Sequence, residues 1–445
     1  MYIERVLEET SRRNPHEDYF LQSVKKFLDS VRPVIDAHPE YEANALLERL
    51  VEPERVFQFR VPWLGDDGKV HVNKGYRVQF NSAIGPYKGG LRFSSSVNLD
   101  VLKFLGFEQT FKNALTTLPI GGAKGGCDFD PHGKSDNEIM RFCQSYMTEL
   151  YRYIGPSLDI PAGDIGVSEK EIAYLFGQYK RIKGVYENGV ITGKGLNYGG
   201  SLIRPEAAGY GVLYYAREVL KHQNDEIKGK TFVLSGYGNV TWGCIKKINE
   251  LGGKVISISG HNGYVYDPDG ICGDKVNYLL ELRANKNRDV KMYADKYGCK
   301  FFEGRKPWEL KGDIYIPCAT QNEIDVPEAK MIVEGGCKYY FEGANMPATN
   351  EAIEYLQQNG VIVGPAKAAN AGGVAVSALE MSQNSIRYSW TKEEVDNKLQ
   401  EIMKKIHDES VEAAERYNLG YDLVKGANIA AFEKVAKTMI SEGVI

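Results

Sequence analysis

Apolar side chains at Phe20, Val24, Phe27, Leu28 and Val31 recur at helical spacing and predict an amphipathic helix that opens the chain and ends near Pro33. Such a stripe serves packing or subunit contact. Around 56–61 and 75–80 the period changes to two, and the Gly65-Asp66-Asp67-Gly68 punctuation between these stretches predicts a pair of strands. Helical spacing returns from Val97 to Leu115 and again from Glu169 to Tyr179. Lys230–Ser235 reads as a buried strand, Trp242–Leu251 as a helix and Lys254–Ser259 as a second strand, with later strands around 313–316 and 339–342. The tail is helical: Thr391 with Glu394 forms a capping box, and Val395, Leu399, Ile402 and Ile406 keep one apolar stripe.

These elements predict an α/β protein of two domains. An N-terminal α/β domain spans residues 1–200, a Rossmann-like domain spans 201–375, and a C-terminal helical segment, 376–445, returns to the first domain and bridges the two. A chain of 445 residues is long enough for two cores of this size. A formal charge of -4 without a basic run argues against nucleic acid as a partner. The amino end has no apolar core of a leader, and no apolar run reaches membrane-spanning length, so the expectation is a cytoplasmic protein with no membrane partner. Seven scattered cysteines without a Cys-x-x-Cys pair read as reduced thiols, with no zinc site and no metal expected.

Candidate chemistry centres on lysines set among glycines. Gly121-Gly122-Ala123-Lys124-Gly125-Gly126 gives one lysine almost no side-chain cover of its own, which points it at a ligand or a narrow cleft and lowers its pKa. The bland alternative is a glycine turn whose lysine meets water. Gly85-Pro86-Tyr87-Lys88-Gly89-Gly90-Leu91-Arg92-Phe93 supplies a second such cation. Gln109 and Lys112 project from one side of the 97–115 helix, although a lone helical lysine is most often solvated. Asp164, in Asp159-Ile160-Pro161-Ala162-Gly163-Asp164, would be held ionised by nearby ammonium groups, or would cap the following helix in competition with Ser168. Strand, Gly236-Tyr237-Gly238-Asn239-Val240-Thr241, helix and strand together form a dinucleotide-binding unit whose helix N-terminus receives the pyrophosphate. Thr241 stands at the third small-residue position, and the second strand ends Ser259-Gly260-His261-Asn262 with no acid for the adenosine ribose.

Taken in order, Gly85–Gly90, Gly121–Gly126, Pro161-Ala162-Gly163-Asp164, Arg204-Pro205-Glu206-Ala207 and Asn370-Ala371-Gly372-Gly373 resemble the glutamate dehydrogenase family along nearly the whole chain. The resemblance implies reversible oxidative deamination of L-glutamate to 2-oxoglutarate and ammonium. It makes residues 1–200 the substrate-binding and oligomerisation domain of a homohexamer. It implies that Lys112 holds the α-carboxylate, that Lys88 and Ser377 hold the side-chain carboxylate, and that Gln109 and Gly163 complete the pocket. Lys124 polarises the attacking water and Asp164 passes protons. Cofactor contacts fall to Ala208, Gly236, Tyr237, Gly238, Asn239, Val240, Ser259, Gly260, Asn345 and Asn370. An aromatic at Tyr237 and the Ser259-Gly260 strand end favour NAD, with NADP also allowed, because Asn262 stands where NAD members often carry an aspartate. Ala208 replaces a threonine that usually contacts the nicotinamide amide. In relatives acting on branched-chain or aromatic amino acids the position of Lys88 is apolar, so Lys88 implies an acidic substrate side chain. The rival reading is an idle nucleotide-binding protein that has kept the fold; intact Lys88, Lys112, Lys124 and Asp164 argue against it.

Overall fold

The computed structural model describes residues 2–284 and 289–444. Its chain divides into two compact units, one made of residues up to Leu202 with Val376–Val395 and the stretch from Asn428 onward, the other of Ile203–Ala375 with Asp396–Ala427.

The first unit is built on a mixed five-stranded sheet of β1 (Arg55–Leu64), β2 (Val70–Asn81), β3 (Tyr87–Phe93), β4 (Gly122–Cys127) and β5 (Asp159–Gly163), in the order β1-β2-β4-β3-β5. The 55–81 hairpin is antiparallel, as its alternation predicts, and β3 runs parallel to both β4 and β5. Side chains alternate across a strand, so Leu91 and Phe93 of β3 enter an apolar core with Trp63, Phe142 and Tyr146, while Lys88, Gly90 and Arg92 face the other way. The Leu99–Leu115 helix covers that opposite face and carries an aromatic cluster in which Phe27 stacks on Phe111 at 3.7 Å.

The second unit holds a parallel sheet of β6 (Thr231–Leu234), β7 (Lys254–Val255), β11 (Ile314–Ile316), β12 (Tyr339–Phe341) and β13 (Ile362–Gly364), ordered β13-β12-β11-β6-β7. Beside it, β8 (Ser257–Ser259), β9 (Gly263–Tyr266) and β10 (Lys300–Glu303) make a small antiparallel sheet. The glycine turn joins β6 to the Asn239–Glu250 helix.

Several expectations are corrected. A helix at Tyr2–Arg13 precedes the predicted opening helix, which spans Asp18–Ser30, and Pro33 starts a further short helix, because proline suits the first turn. Gly122–Cys127 is a buried strand, and so is Tyr87–Phe93. Their glycines admit neighbouring backbone: a Cβ on Gly89 would lie 1.6 Å from the Ala123 carbonyl oxygen. Lys254–Ser259 divides between two sheets where serine hydroxyls replace ladder bonds, Ser257 Oγ accepting from Leu234 N and Ser259 Oγ from Gly236 N. Ser168, and not Asp164, caps the Glu169–Lys183 helix. Gly372 and Gly373, which read in the sequence as hinge-like glycines before Ser377, open the Gly372–Ile386 helix, and Gly372 lets that helix start against the Ala207 carbonyl. Among the described residues no helix is long and apolar enough to cross a membrane.

Candidate active site

Three adjacent strands bring the first cluster together. Lys124 on β4 donates to Asp164 Oδ1 at 2.9 Å, and Arg92 Nε on β3 donates to Asp164 Oδ2 at 2.7 Å, so one carboxylate just beyond β5 is shared by two cations. Gly90 lies between them; a Cβ there would come within 2.8 Å of Asp164 Cβ and 3.4 Å of Lys124 Nζ. Burial alone would raise the Asp164 pKa, but the Lys124 ammonium and Arg92 guanidinium outweigh it and hold the carboxyl well below the usual range. Burial pulls Lys124 down and the Arg92 and Arg77 charges add to it, against the opposing pull of Asp164; the net shift is downward. The cluster is an ionised carboxylate beside a buried ammonium whose charged form burial disfavours.

A second group lies on the same strand. Lys88 is 1% exposed and its Nζ donates to Thr192 Oγ1 at 2.9 Å, and Thr192 Oγ1 lies 2.6 Å from Ser377 Oγ. Gln109 Nε2 donates to Asn113 Oδ1 at 2.7 Å, and Asn113 Nδ2 donates in turn to the backbone oxygens of Lys88 and Gly121, at 3.0 Å and 2.5 Å. One buried amide therefore ties the Leu99–Leu115 helix to β3 and to the entry of β4. Lys112 is half-buried on that helix, three residues beyond Gln109. Gly163 pairs with Leu91 at the end of β5. Sequence reasoning missed Arg92, Thr192 and Asn113. Arg92 was accessible from strand period, two and four places from Gly90 and Lys88; Thr192 carries no local signal.

In the second unit a cavity of about 590 Å³ is lined by Gly236, Tyr237 and Gly238 after β6, by Ser259 and Gly260 after β8, and by Cys318–Thr320 after β11. Strand order reverses between β6 and β11, so the cavity sits at the switch point of the sheet, off the carboxyl ends of the strands. Gly236 has φ +74°, and a Cβ on Gly238 would meet nothing within 4 Å, which leaves the N-terminus of the Asn239–Glu250 helix open to an anion. Asn239 and Val240 form its first turn. Thr241 is fully buried and donates to Ser235 O at 3.1 Å, so it fills the third small-residue position with a tie between helix and strand. Asn370 Nδ2 donates to Asn345 Oδ1 at 3.0 Å beyond β12 and β13, and Ala208 lies against Gly373. His261, from the Ser259–Asn262 strand end, also lines the cavity, as do Arg283 and Lys306, which were not anticipated. Beyond the Ser259-Gly260 strand end, Asn262 Nδ2 donates to Asp289 Oδ1 at 2.7 Å, a carboxylate from a distant segment. Among the described residues no cluster of His, Cys, Asp or Glu could hold a metal ion.

Fold and cavity define a dinucleotide-binding α/β protein. The Glu/Leu/Phe/Val dehydrogenase dimerisation domain matches residues 53–181, and the Glutamate/Leucine/Phenylalanine/Valine dehydrogenase family matches residues 199–443. An NAD-specific glutamate dehydrogenase of Clostridium symbiosum is 60% identical over 445 residues, covering 100% of this chain and 99% of that protein. An NADP-specific glutamate dehydrogenase of Haemophilus influenzae is 52% identical, with 99% and 98% covered. A solved glutamate dehydrogenase structure, 60% identical, matches with a TM-score of 0.98 over 100% of this chain and 99% of that one. The chain belongs to the glutamate dehydrogenase family.

Proposed function

We propose that this protein catalyses the reversible conversion of L-glutamate, water and oxidised nicotinamide dinucleotide to 2-oxoglutarate, ammonium, the reduced dinucleotide and a proton. The observation that carries this reading is the buried Lys88 ammonium with its Thr192 and Ser377 hydroxyls. A buried cation suits a substrate with a second carboxylate and penalises an apolar side chain. In this reading Lys88 and Ser377 hold the distal carboxylate, Lys112 holds the α-carboxylate, and Gln109 and Gly163 complete the pocket.

The bound dinucleotide supplies the hydride acceptor. Asp164, ionised at neutral pH, takes a proton from the substrate ammonium so that the amine is neutral when hydride leaves the α-carbon. Lys124, its pKa lowered, polarises the water that adds to the imine carbon, and Arg92 keeps Asp164 oriented. Gly236, Tyr237, Gly238, Asn239 and Val240 would receive the pyrophosphate, Ser259 and Gly260 the adenosine ribose, and Ala208, Asn345 and Asn370 the nicotinamide end.

NAD is the preferred cofactor in this proposal and NADP is accepted. Tyr237 and the Asp289 carboxylate held by Asn262 favour a free ribose, whereas Arg283 and Lys306 in the cavity lining offer charge to a 2′-phosphate. The assembly proposed is a homohexamer, in keeping with the dimerisation-domain match and with exposed Val56, Leu64, Val70 and Val72 on the β1–β2 hairpin. The proposed compartment is the cytoplasm, where its free cysteines stay reduced. Absorbance at the reduced-nicotinamide band, with 2-oxoglutarate, ammonium and NADH or NADPH in turn, tests the reading. Oxidation of both with NADH faster is expected; oxidation of neither overturns it.

A further inference from the structure

Lys194 and Glu380 form an ion pair at 2.8 Å with both side chains 0% exposed. The Lys194 ammonium spends its three N–H groups on the Ile191 carbonyl, on Glu380 Oε1 and on Asn384 Oδ1, the last two each at 2.8 Å. Glu380 answers with both oxygens, Oε2 accepting from Gly193 N at 3.0 Å and Oε1 from Lys194 N at 3.4 Å. A pair buried this completely is a poor source of stability, because desolvating two charges offsets most of their attraction. Its geometry points to another use.

Every one of these bonds grips residues 191–194, and Thr192 lies inside the grip. The Thr192 N–H donates to Pro161 O at 3.0 Å, which ties the same segment to β5. Ser377, Glu380 and Asn384 are three and seven residues apart and share one face of the Gly372–Ile386 helix. The face that delivers the Ser377 hydroxyl to Thr192 therefore also clamps the backbone on either side of Thr192. A hydrogen bond weakens steeply with angle and distance, so the direction of the Lys88 ammonium depends on where this clamp sets the threonine.

We propose that Lys194 and Glu380 are positioning residues, which lock the 191–194 segment onto the Gly372–Ile386 helix so that Thr192 and Ser377 aim Lys88 at the distal carboxylate of the substrate. The proposal rests on the dicarboxylate reading given above. Glu380→Gln is the direct test, with 2-oxoglutarate compared against 2-oxopentanoate, which lacks the distal carboxylate. The expected result is a KM for 2-oxoglutarate raised about tenfold with kcat within about threefold, while kcat/KM for 2-oxopentanoate changes by less than about twofold. A pair that only supports the fold would lower Tm and leave the ratio of the two substrates unchanged, which overturns the proposal. Lys88→Leu, assayed alongside, separates the two levels. If it leaves that ratio unchanged, the dicarboxylate reading fails; if it shifts the ratio and Glu380→Gln does not, only the positioning role fails. Because one charge left behind destabilises a buried site, the double variant Lys194→Met/Glu380→Leu removes both at similar volume. It is expected to fold with a lowered Tm, because Gly193 N, the Ile191 carbonyl and Asn384 Oδ1 lose partners, and to show the same loss of selectivity; parental selectivity in the folded double variant also overturns the proposal.

Discussion

Two glycine-rich stretches look alike on paper and do opposite things. In β3 and β4 the glycines let protein approach protein. A Cβ on Gly89 would overlap the Ala123 carbonyl, and one on Gly122 would come within 2.0 Å of Thr110 Oγ1. At Gly236–Gly238 the chain bends through φ +74° and then faces open space. Tight glycines press two cations and a carboxylate into one buried cluster; open glycines leave room at a helix N-terminus for something the protein does not itself supply. A lysine among glycines is thus a sign of chemistry when the glycines are crowded, since crowding is what removes water from the ammonium.

The sharpest break of this contrast is Gly89→Ala. No rotamer relieves a contact with backbone, so a loss of about 4 kcal/mol or more is expected, read as failure to recover folded protein or as collapse of the urea midpoint. Parental stability would show that the sheet does not need the close approach. Gly90→Ala comes next. Its methyl group would meet Asp164 Cβ at 2.8 Å and the Gly163 carbonyl oxygen at 3.0 Å and lie 3.4 Å from Lys124 Nζ, so the end of β5 must shift locally and displace the ion pair. An unchanged circular dichroism spectrum with kcat lowered about 100-fold is expected; undiminished kcat would detach the pair from the chemistry. The same variant carries a pH signature. The folded pKa of Asp164 lies below its ordinary 3.8, so the stability contributed by the pair is present above that value and is lost as pH falls through it toward the lower folded value. Displacement returns the folded pKa toward 3.8, so the deficit of Gly90→Ala in urea unfolding should be constant from pH 5 to 7, on the order of 1 kcal/mol, and shrink below pH 4.

What could be read from the chain follows the range of the interaction that causes each feature. The Leu99–Leu115 helix and the Thr391–Glu394 cap are legible because both period and cap are set by residues three or four apart. The β6 strand and its glycine turn are legible for the same reason. Gly121–Gly126 reads as a loop because the neighbours that require its glycines, such as Thr110 and Asn81, come from other elements. Lys254–Ser259 reads as one strand because its apolar pattern is continuous, and only hydroxyl bonds to Leu234 and Gly236 reveal where it changes sheet. Lys124 and Asp164 could be singled out as chemical, but their partner Arg92 needed the strand assignment first. Thr192 and Ser377, 185 positions apart, and the pairing of Asn262 with Asp289 lie beyond any local pattern.

The smallest predicted effect tests the open side of the contrast. Gly238 caps the Asn239–Glu250 helix with φ -76°, a conformation alanine adopts without strain, and a Cβ there meets nothing within 4 Å. Gly238→Ala should therefore cost the fold no more than about 1 kcal/mol, the usual penalty for alanine at a helix N-cap. The added methyl group would instead stand where a pyrophosphate must approach the helix N–H groups. A titration of reduced cofactor followed by its fluorescence should give a Kd raised about fivefold to tenfold, equivalent to roughly 1 kcal/mol. Sheet glycines would then fail in folding and turn glycines in binding. If affinity were unchanged, the space beside Gly238 would not be where the dinucleotide lies, and the two stretches would differ in packing alone.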